Sequence, residues 1–242
     1  LSGDRLAPTP TLLIGLGDAG RSVLHQLADR VSERTGEQWP NNLRLLHLAI
    51  QNDDSRSTPS PDLPQTVEQV VLKRNIDRQS LDGVHMAWAR GNTSTPRIRG
   101  RLALFTDLSH GKGESLLWGP LGRAINNQKN ITVWIISDAF GPASGMIADI
   151  AHLIRVRSGS GIINSVRLCL AMQNADWGMT TSQSGLDERS FATLRELQRL
   201  QSNEETPFIY TAMQGQPELR ATHTGKLFDE MYLFDGQGEE TN

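Results

Sequence analysis

One cysteine, few aromatic residues and no long apolar run set the first limits on this chain. Cys169 stands alone among 242 residues, so no internal disulfide can form. Its neighbours Val166, Leu168 and Leu170 make it a small buried hydrophobe rather than a catalytic thiol, and the scarcity of cysteine points to a reducing, cytoplasmic compartment. No stretch nears the ~20 apolar residues that span a bilayer, and no signal peptide is visible, so membrane insertion is not expected. Neither sign of charge dominates: 24 basic and 27 acidic residues leave a formal net charge of -3. That balance supplies no basic field for a nucleic-acid backbone. The six histidines (His25, His47, His85, His110, His152 and His223) lack zinc-motif spacing and cysteine partners, so no metal site built from them is expected. His25 and His152 fall on helical stretches, where a solvated or half-buried structural role is the default.

What is present is the composition of a folded domain, with 37% hydrophobic and 21% charged residues. The length fits one large α/β domain over residues 11–242, behind a polar, proline-bearing lead-in at 1–10. Because the chain begins with Leu1, it reads as a piece trimmed from something longer. Apolar runs predict strands at Thr11–Ile14, Leu43–Ile50, Val67–Leu72, Ile131–Ser137, Val166–Met172, Phe208–Met213 and Met231–Phe234. Helical periodicity marks Arg21–Arg34, Ile98–Asp107, Gly113–Asn127, Met146–Arg157 and Glu188–Gln201, with a short helix at Leu81–Trp88. Residues 55–66 read as a surface loop. The alternation predicts a mostly parallel sheet with helices on both faces, of the Rossmann-like class, whose ligands sit outside the carboxyl ends of the strands.

The first chemical motif is Gly15-Leu16-Gly17-Asp18-Ala19-Gly20, a GxGxxG stretch between a strand and a helix. Glycines let the backbone turn sharply, and the free N–H groups of the next helix then face an anion. The bland alternative is a tight turn that binds nothing. Asp18 would repel a phosphate unless a cation intervenes or the side chain turns away; it can equally cap the helix. A second strand, loop and helix runs from Ile131 to Arg157, about 120 residues further on, with the loop Asp138-Ala139-Phe140-Gly141-Pro142-Ala143-Ser144-Gly145.

Two such loops at that separation resemble the tubulin/FtsZ-like proteins, whose second loop has the form GGGTG[ST]G. Gly141, Ser144 and Gly145 match that signature, and MIADIAHLIR after it is similar to the family's following helix. GLGDAGRSVLHQL resembles the first nucleotide loop and helix, and HLAIQND the second strand and its polar corner. SFATLRELQRL and FDEMYLFDG resemble the large bacterial tubulin-like proteins more than FtsZ itself. The resemblance implies a tubulin/FtsZ-type nucleotide-binding domain contacting nucleotide through Gly15, Leu16, Gly17, Asp18, Ala19, Gly20, Arg21, Asn52, Gly141, Ser144 and Gly145. Its ligand would be GTP or GDP (or ATP or ADP) with Mg, and its partners further copies in an oligomer or filament, or other protein subunits.

The departures matter. Pro142 has no N–H, Phe140 places a ring where the family has no side chain, and Ala143 adds a methyl. Each lost hydrogen bond to a charged group is worth about 1.5–3 kcal/mol, so a degenerate site without ligand also fits. The acidic residues that the family's hydrolysis takes from a C-terminal domain have no counterpart, so hydrolysis by this chain alone is not expected. Two alternatives stand beside the resemblance. One is an NAD(P)-dependent Rossmann oxidoreductase using the first loop alone; its acidic residue belongs about 20 positions after the loop. Asp53 comes 33 positions after Gly20. The other is a ligand-free interaction scaffold. Gly111-Lys112-Gly113-Glu114-Ser115 misses P-loop spacing and reads as a surface turn. Arg97, Arg99 and Arg101 form a basic cluster that either reaches phosphate or makes a solvated face, and Asp107 and Asp138 are too isolated to be an acid–base pair.

Overall fold

The structure is a computed structural model that describes residues 9–36, 38–51, 63–72, 96–109, 115–125, 128–157, 161–172, 183–202, 205–209 and 220–234. The lead-in 1–8 and the helix expected at Leu81–Trp88 lie outside the described residues. Six strands form one sheet: β1 (Thr11–Leu16), β2 (Leu43–Ile50), β3 (Val67–Leu72), β4 (Ile131–Asp138), β5 (Ile163–Ala171) and β8 (Glu230–Phe234). Their order is β3-β2-β1-β4-β5-β8, and every neighbouring pair is parallel. TLLIGL and ITVWIISD take the two central places, where strands buried on both faces need no polar alternation. β6 (Thr206–Ile209) and β7 (Arg220–His223) form a separate antiparallel pair; residues 210–213 of the expected Phe208–Met213 strand lie outside the described residues.

Helices flank both faces of the sheet, as the alternation predicted. The helix α1 (Gly17–Thr35) lies on one face, burying Leu24 and Ala28 against Leu45, Val67 and Ile136. It stops at Gly36, whose positive φ of 63° suits glycine and whose N–H reaches Ser32 O at 2.9 Å. The other face carries α2 (Pro96–Ser109), α3 (Trp118–Ile125), α4 (Ile147–Arg157) and α5 (Gln183–Leu200), around the larger core that includes Ile14, Leu48, Phe105, Val133, Ile154 and Leu168. The result is a mixed α/β fold of generic Rossmann-like topology. No helix among the described residues is long and apolar enough to cross a membrane.

The helix expected from Gly113 begins only at Trp118, and Asp107 is the reason. This buried carboxylate accepts hydrogen bonds from Ser115 Oγ (2.6 Å), Leu116 N–H (2.8 Å) and Leu117 N–H (3.2 Å). It therefore holds a turn in place of a helical start. Asp107→Ala strands three donors, and the expected loss is about 2 kcal/mol. Thermal unfolding checks it: the midpoint should fall by roughly 4–8 °C in a chain of this size.

Candidate functional site

Strand order reverses between β1 and β4, and the crevice outside their carboxyl ends is where a sheet of this kind accepts ligands. Leu16 ends β1 and Asp138 ends β4, so both loops singled out in the sequence open at this crevice. The first of them is hardly a loop. β1 runs to Leu16 and α1 starts at Gly17, so Gly15 and Leu16 are strand residues and Gly17 to Arg21 the first helical turn. The turn read over Gly15–Gly20 is thus corrected to a direct strand-to-helix step.

The glycines make that step feasible. A Cβ on Gly15 would stand 2.7 Å from Gly20 O, and one on Gly20 would stand 2.4 Å from Gly15 C, so the helix start lies directly on the strand. Gly17 has a φ of 65°, in the left-handed region. No side chain caps α1, which leaves its first N–H groups facing the crevice beside the exposed Asp18. Arg21 and Ser22, one turn on, line an open groove of about 270 Å³ with His25, Gln26 and Leu63. His25 pairs with Asp29 at 2.9 Å on the surface, as a helical histidine is expected to.

The second loop is a closed structure. Pro142–Met146 forms a 3-10 turn, so α4 begins at Ile147, and Ala139, Phe140, Gly141, Ala143 and Ser144 are all buried. The Phe140 N–H donates to Asp138 Oδ1 at 3.1 Å, and the Gly141 N–H donates to the same oxygen. Ser144 turns inward, its hydroxyl donating to Gly141 O at 2.7 Å and its N–H to the same oxygen at 3.2 Å. Ala143 faces the first loop: a Cβ on Gly17 would lie 2.8 Å from the Ala143 Cβ. Behind the loop, Gly145 packs on the backbone of Arg97 in α2, and Thr193 of α5 donates to Ala139 O at 2.5 Å.

The structure therefore brings Gly17, Asp18, Asp138 and Ala143 together at the crevice. Leu16 is buried, Gly15 and Gly20 serve packing between β1 and α1, Ser144 serves packing inside the loop, and Gly145 seats the loop on α2. Asn52 lies outside the described residues. The arginine cluster is not a solvated face: Arg97 pairs with Glu196, and Arg101 pairs with Asp149 at 2.8 Å. His152 is wholly buried rather than solvated or half-buried, with its ring edge-on to His223 at 5.6 Å. Cys169 is half-buried, and burial pushes its thiol up to about 11, which suits a packing role.

Two groups at the crevice escaped the sequence. His47, buried in β2, places Nε2 3.0 Å from Gly17 O and Nδ1 3.4 Å from Gln69 Nε2. Burial lowers its pKa, and the neutral tautomer with the proton on Nε2 satisfies both contacts and pins the first loop. The signal was one polar residue inside the run LRLLHLAI. Asp138 is the other, with burial raising its pKa against the two N–H bonds and Asp18 adding to the rise.

No family model and no curated protein matches this chain. The candidate site therefore rests on topology and geometry.

Chemically, the crevice offers helix-start N–H groups on one side and a buried carboxylate on the other. Among the described residues there is no group of three or more His, Cys, Asp or Glu side chains able to hold a metal. A nucleotide-borne Mg ion needs less, because one or two carboxylates and the phosphates themselves usually hold it. The exposed Asp18 suits that part.

Proposed function

We propose that this domain binds a nucleotide through its diphosphate, anchored on the start of α1, and does not hydrolyse it. The supporting observation is the direct step from β1 to α1 at the reversal of strand order, where Gly15 and Gly20 bring helix and strand together. An anion there meets free N–H groups at the positive end of a 19-residue helix. A Mg ion brought by the nucleotide would sit on Asp18 and offset its charge. The second loop supplies nothing comparable, because its own side chains fill it.

Two finer forms follow. In the tubulin/FtsZ-like form, the ligand is GDP or GTP (or the adenine pair), and the domain is a degenerate member used for assembly with further copies or other subunits. The likeness of the second strand, loop and helix supports it. In the dinucleotide form, the ligand is NAD(P) and the protein an oxidoreductase. The glycine geometry favours this form, since close strand–helix contact is the role the first and third glycines play in dinucleotide domains. The closed second loop also removes what would set the first form apart.

Calorimetric titration with GDP, ADP, GTP, ATP and NAD, each with Mg, separates them. Binding of a diphosphate nucleotide in the micromolar to millimolar range, about -8 to -4 kcal/mol, is expected for the first form. Binding of NAD alone selects the second. Silence from every ligand at millimolar concentration refutes both and leaves a ligand-free scaffold.

A further inference from the structure

The second loop contains an anion already. Within it, the Ala139 N–H bonds Ala171 O on β5 at 2.9 Å, those of Phe140 and Gly141 bond the Asp138 carboxylate, and that of Ser144 bonds Gly141 O. Pro142 has no donor to offer. Successive N–H groups converging on one oxygen form a concavity that otherwise suits a phosphate. Here the oxygen is Oδ1 of the chain's own aspartate.

The fit is tight. A Cβ on Gly141 would stand 2.7 Å from Oδ1 and 2.9 Å from Oδ2, so glycine is what lets the carboxylate lie against the backbone. Oδ2 points toward the first loop, 3.8 Å from where a Gly17 Cβ would be. Asp138 is only 5% exposed, unlike an aspartate that caps a surface turn. An incoming terminal phosphate would meet two occupied donors and a carboxylate in one place.

We infer that Asp138 is an internal competitor for the terminal phosphate: its carboxylate holds the two N–H groups a γ-phosphate would need, and so restricts the crevice to nucleotides ending at the diphosphate. This rests on the nucleotide reading above and deepens it, making Asp138 the residue that sets ligand specificity. Nothing in the sequence assigned it that part.

The test uses the full chain and three proteins: wild type, Asp138→Ala and Asp138→Asn. Each is titrated with GDP, a non-hydrolysable GTP analogue and inorganic pyrophosphate, with far-UV circular dichroism as the check on folding. Wild type should bind GDP at least about tenfold more tightly than the triphosphate. Asp138→Ala should raise triphosphate affinity by about tenfold or more, with GDP changed by less than about threefold. Asp138→Asn keeps an oxygen for the two donors but removes the charge, so its gain should be smaller than that of alanine. An unchanged ratio of triphosphate to diphosphate affinity in the folded variants overturns the inference and leaves the nucleotide reading standing. If wild type binds neither nucleotide yet Asp138→Ala gains pyrophosphate, the internal competitor is upheld and the guanine-nucleotide form of the reading falls. If no protein binds any of the three, the inference and the guanine-nucleotide form both fall, and the dinucleotide form is decided by the NAD titration alone. Should Asp138→Ala not fold, Asp138→Asn decides: a ratio equal to wild type overturns the inference.

Discussion

Gly145→Ala is expected to cost about 3 kcal/mol or more, the largest loss from the addition of one methyl group at any of the described glycines. A Cβ at this position would lie 1.9 Å from Arg97 O and 2.7 Å from Arg97 C. Both are backbone atoms, so no side-chain rotation relieves the overlap; α2 must withdraw from the second loop. The contact is reciprocal, because a Cβ on Gly100 would stand 2.0 Å from Pro142 O. Two glycines, one on each partner, thus let a helix and a loop touch backbone to backbone, and the ion pair from Arg97 to Glu196 closes the same junction. Typical domains hold only about 5–15 kcal/mol in total, so the variant should melt roughly 6–12 °C below wild type. Gly122→Ala is the control. Nothing lies within 4 Å of a Cβ there, in the middle of α3, and alanine should raise stability by about 0.5–1 kcal/mol. A Gly145→Ala protein that melts with wild type would show that α2 and the loop are not locked together.

That junction shows what the sequence could and could not disclose. β2, Leu43–Ile50, and β3, Val67–Leu72, were legible to the residue, because apolar runs bounded by polar corners leave little choice. So was the parallel sheet with helices on both faces. The site was legible only as two stretches with the right neighbours. GxGxxG states that backbone comes close to something; here Gly15 and Gly20 come close to each other. Likewise, Gly145 matched a phosphate-loop signature, yet its freedom from a side chain accommodates Arg97. The pattern records the need for glycine and is silent on which neighbour imposes it.

Polar residues were harder still. Asp138 looked isolated because its partners are backbone N–H groups two and three positions along, which leave no trace in side-chain identity. Arg101 looked solvated because Asp149 lies 48 positions away in sequence. A helix reading IADIAHLIRVR also gives no cue that it is buried on nearly every side, with Asp149 and His152 enclosed. Long-range pairing decides the charge state of such groups, and it emerges only once the sheet order has brought α2 and α4 together.

Removing that pairing should produce a loss of stability that depends on pH. Asp149 is fully buried; Arg101 reaches it with Nε 2.8 Å from Oδ2 and Nη2 3.1 Å from Oδ1, and stacks on Phe105 at 5.3 Å. Burial raises the Asp149 pKa from 3.8 to about 6 even with the guanidinium present. A raised acid binds its proton in the fold before it does in the unfolded chain, so its contribution to stability is present below pH 4 and is lost as pH rises to 6. His152 runs the other way: burial lowers its pKa from 6.5 to about 4, so its contribution is present above 6.5 and is lost as pH falls to 4. In wild type the contributions of these two groups oppose each other between pH 4 and 6. Arg101→Met keeps an apolar stem over Phe105 but leaves Asp149 without its counter-charge, pushing its pKa higher. Breaking a buried pair from one side costs roughly 3–5 kcal/mol, and the low end applies because the Arg101 side chain is 28% exposed. Urea unfolding should therefore show a loss of about 3 kcal/mol at pH 8 and less than half of that at pH 5, where Asp149 can take up a proton. Asp149→Asn in the same background should abolish the difference between the two pH values. Equal losses at pH 5 and pH 8 in Arg101→Met would mean that Arg101 acts by packing on Phe105 alone.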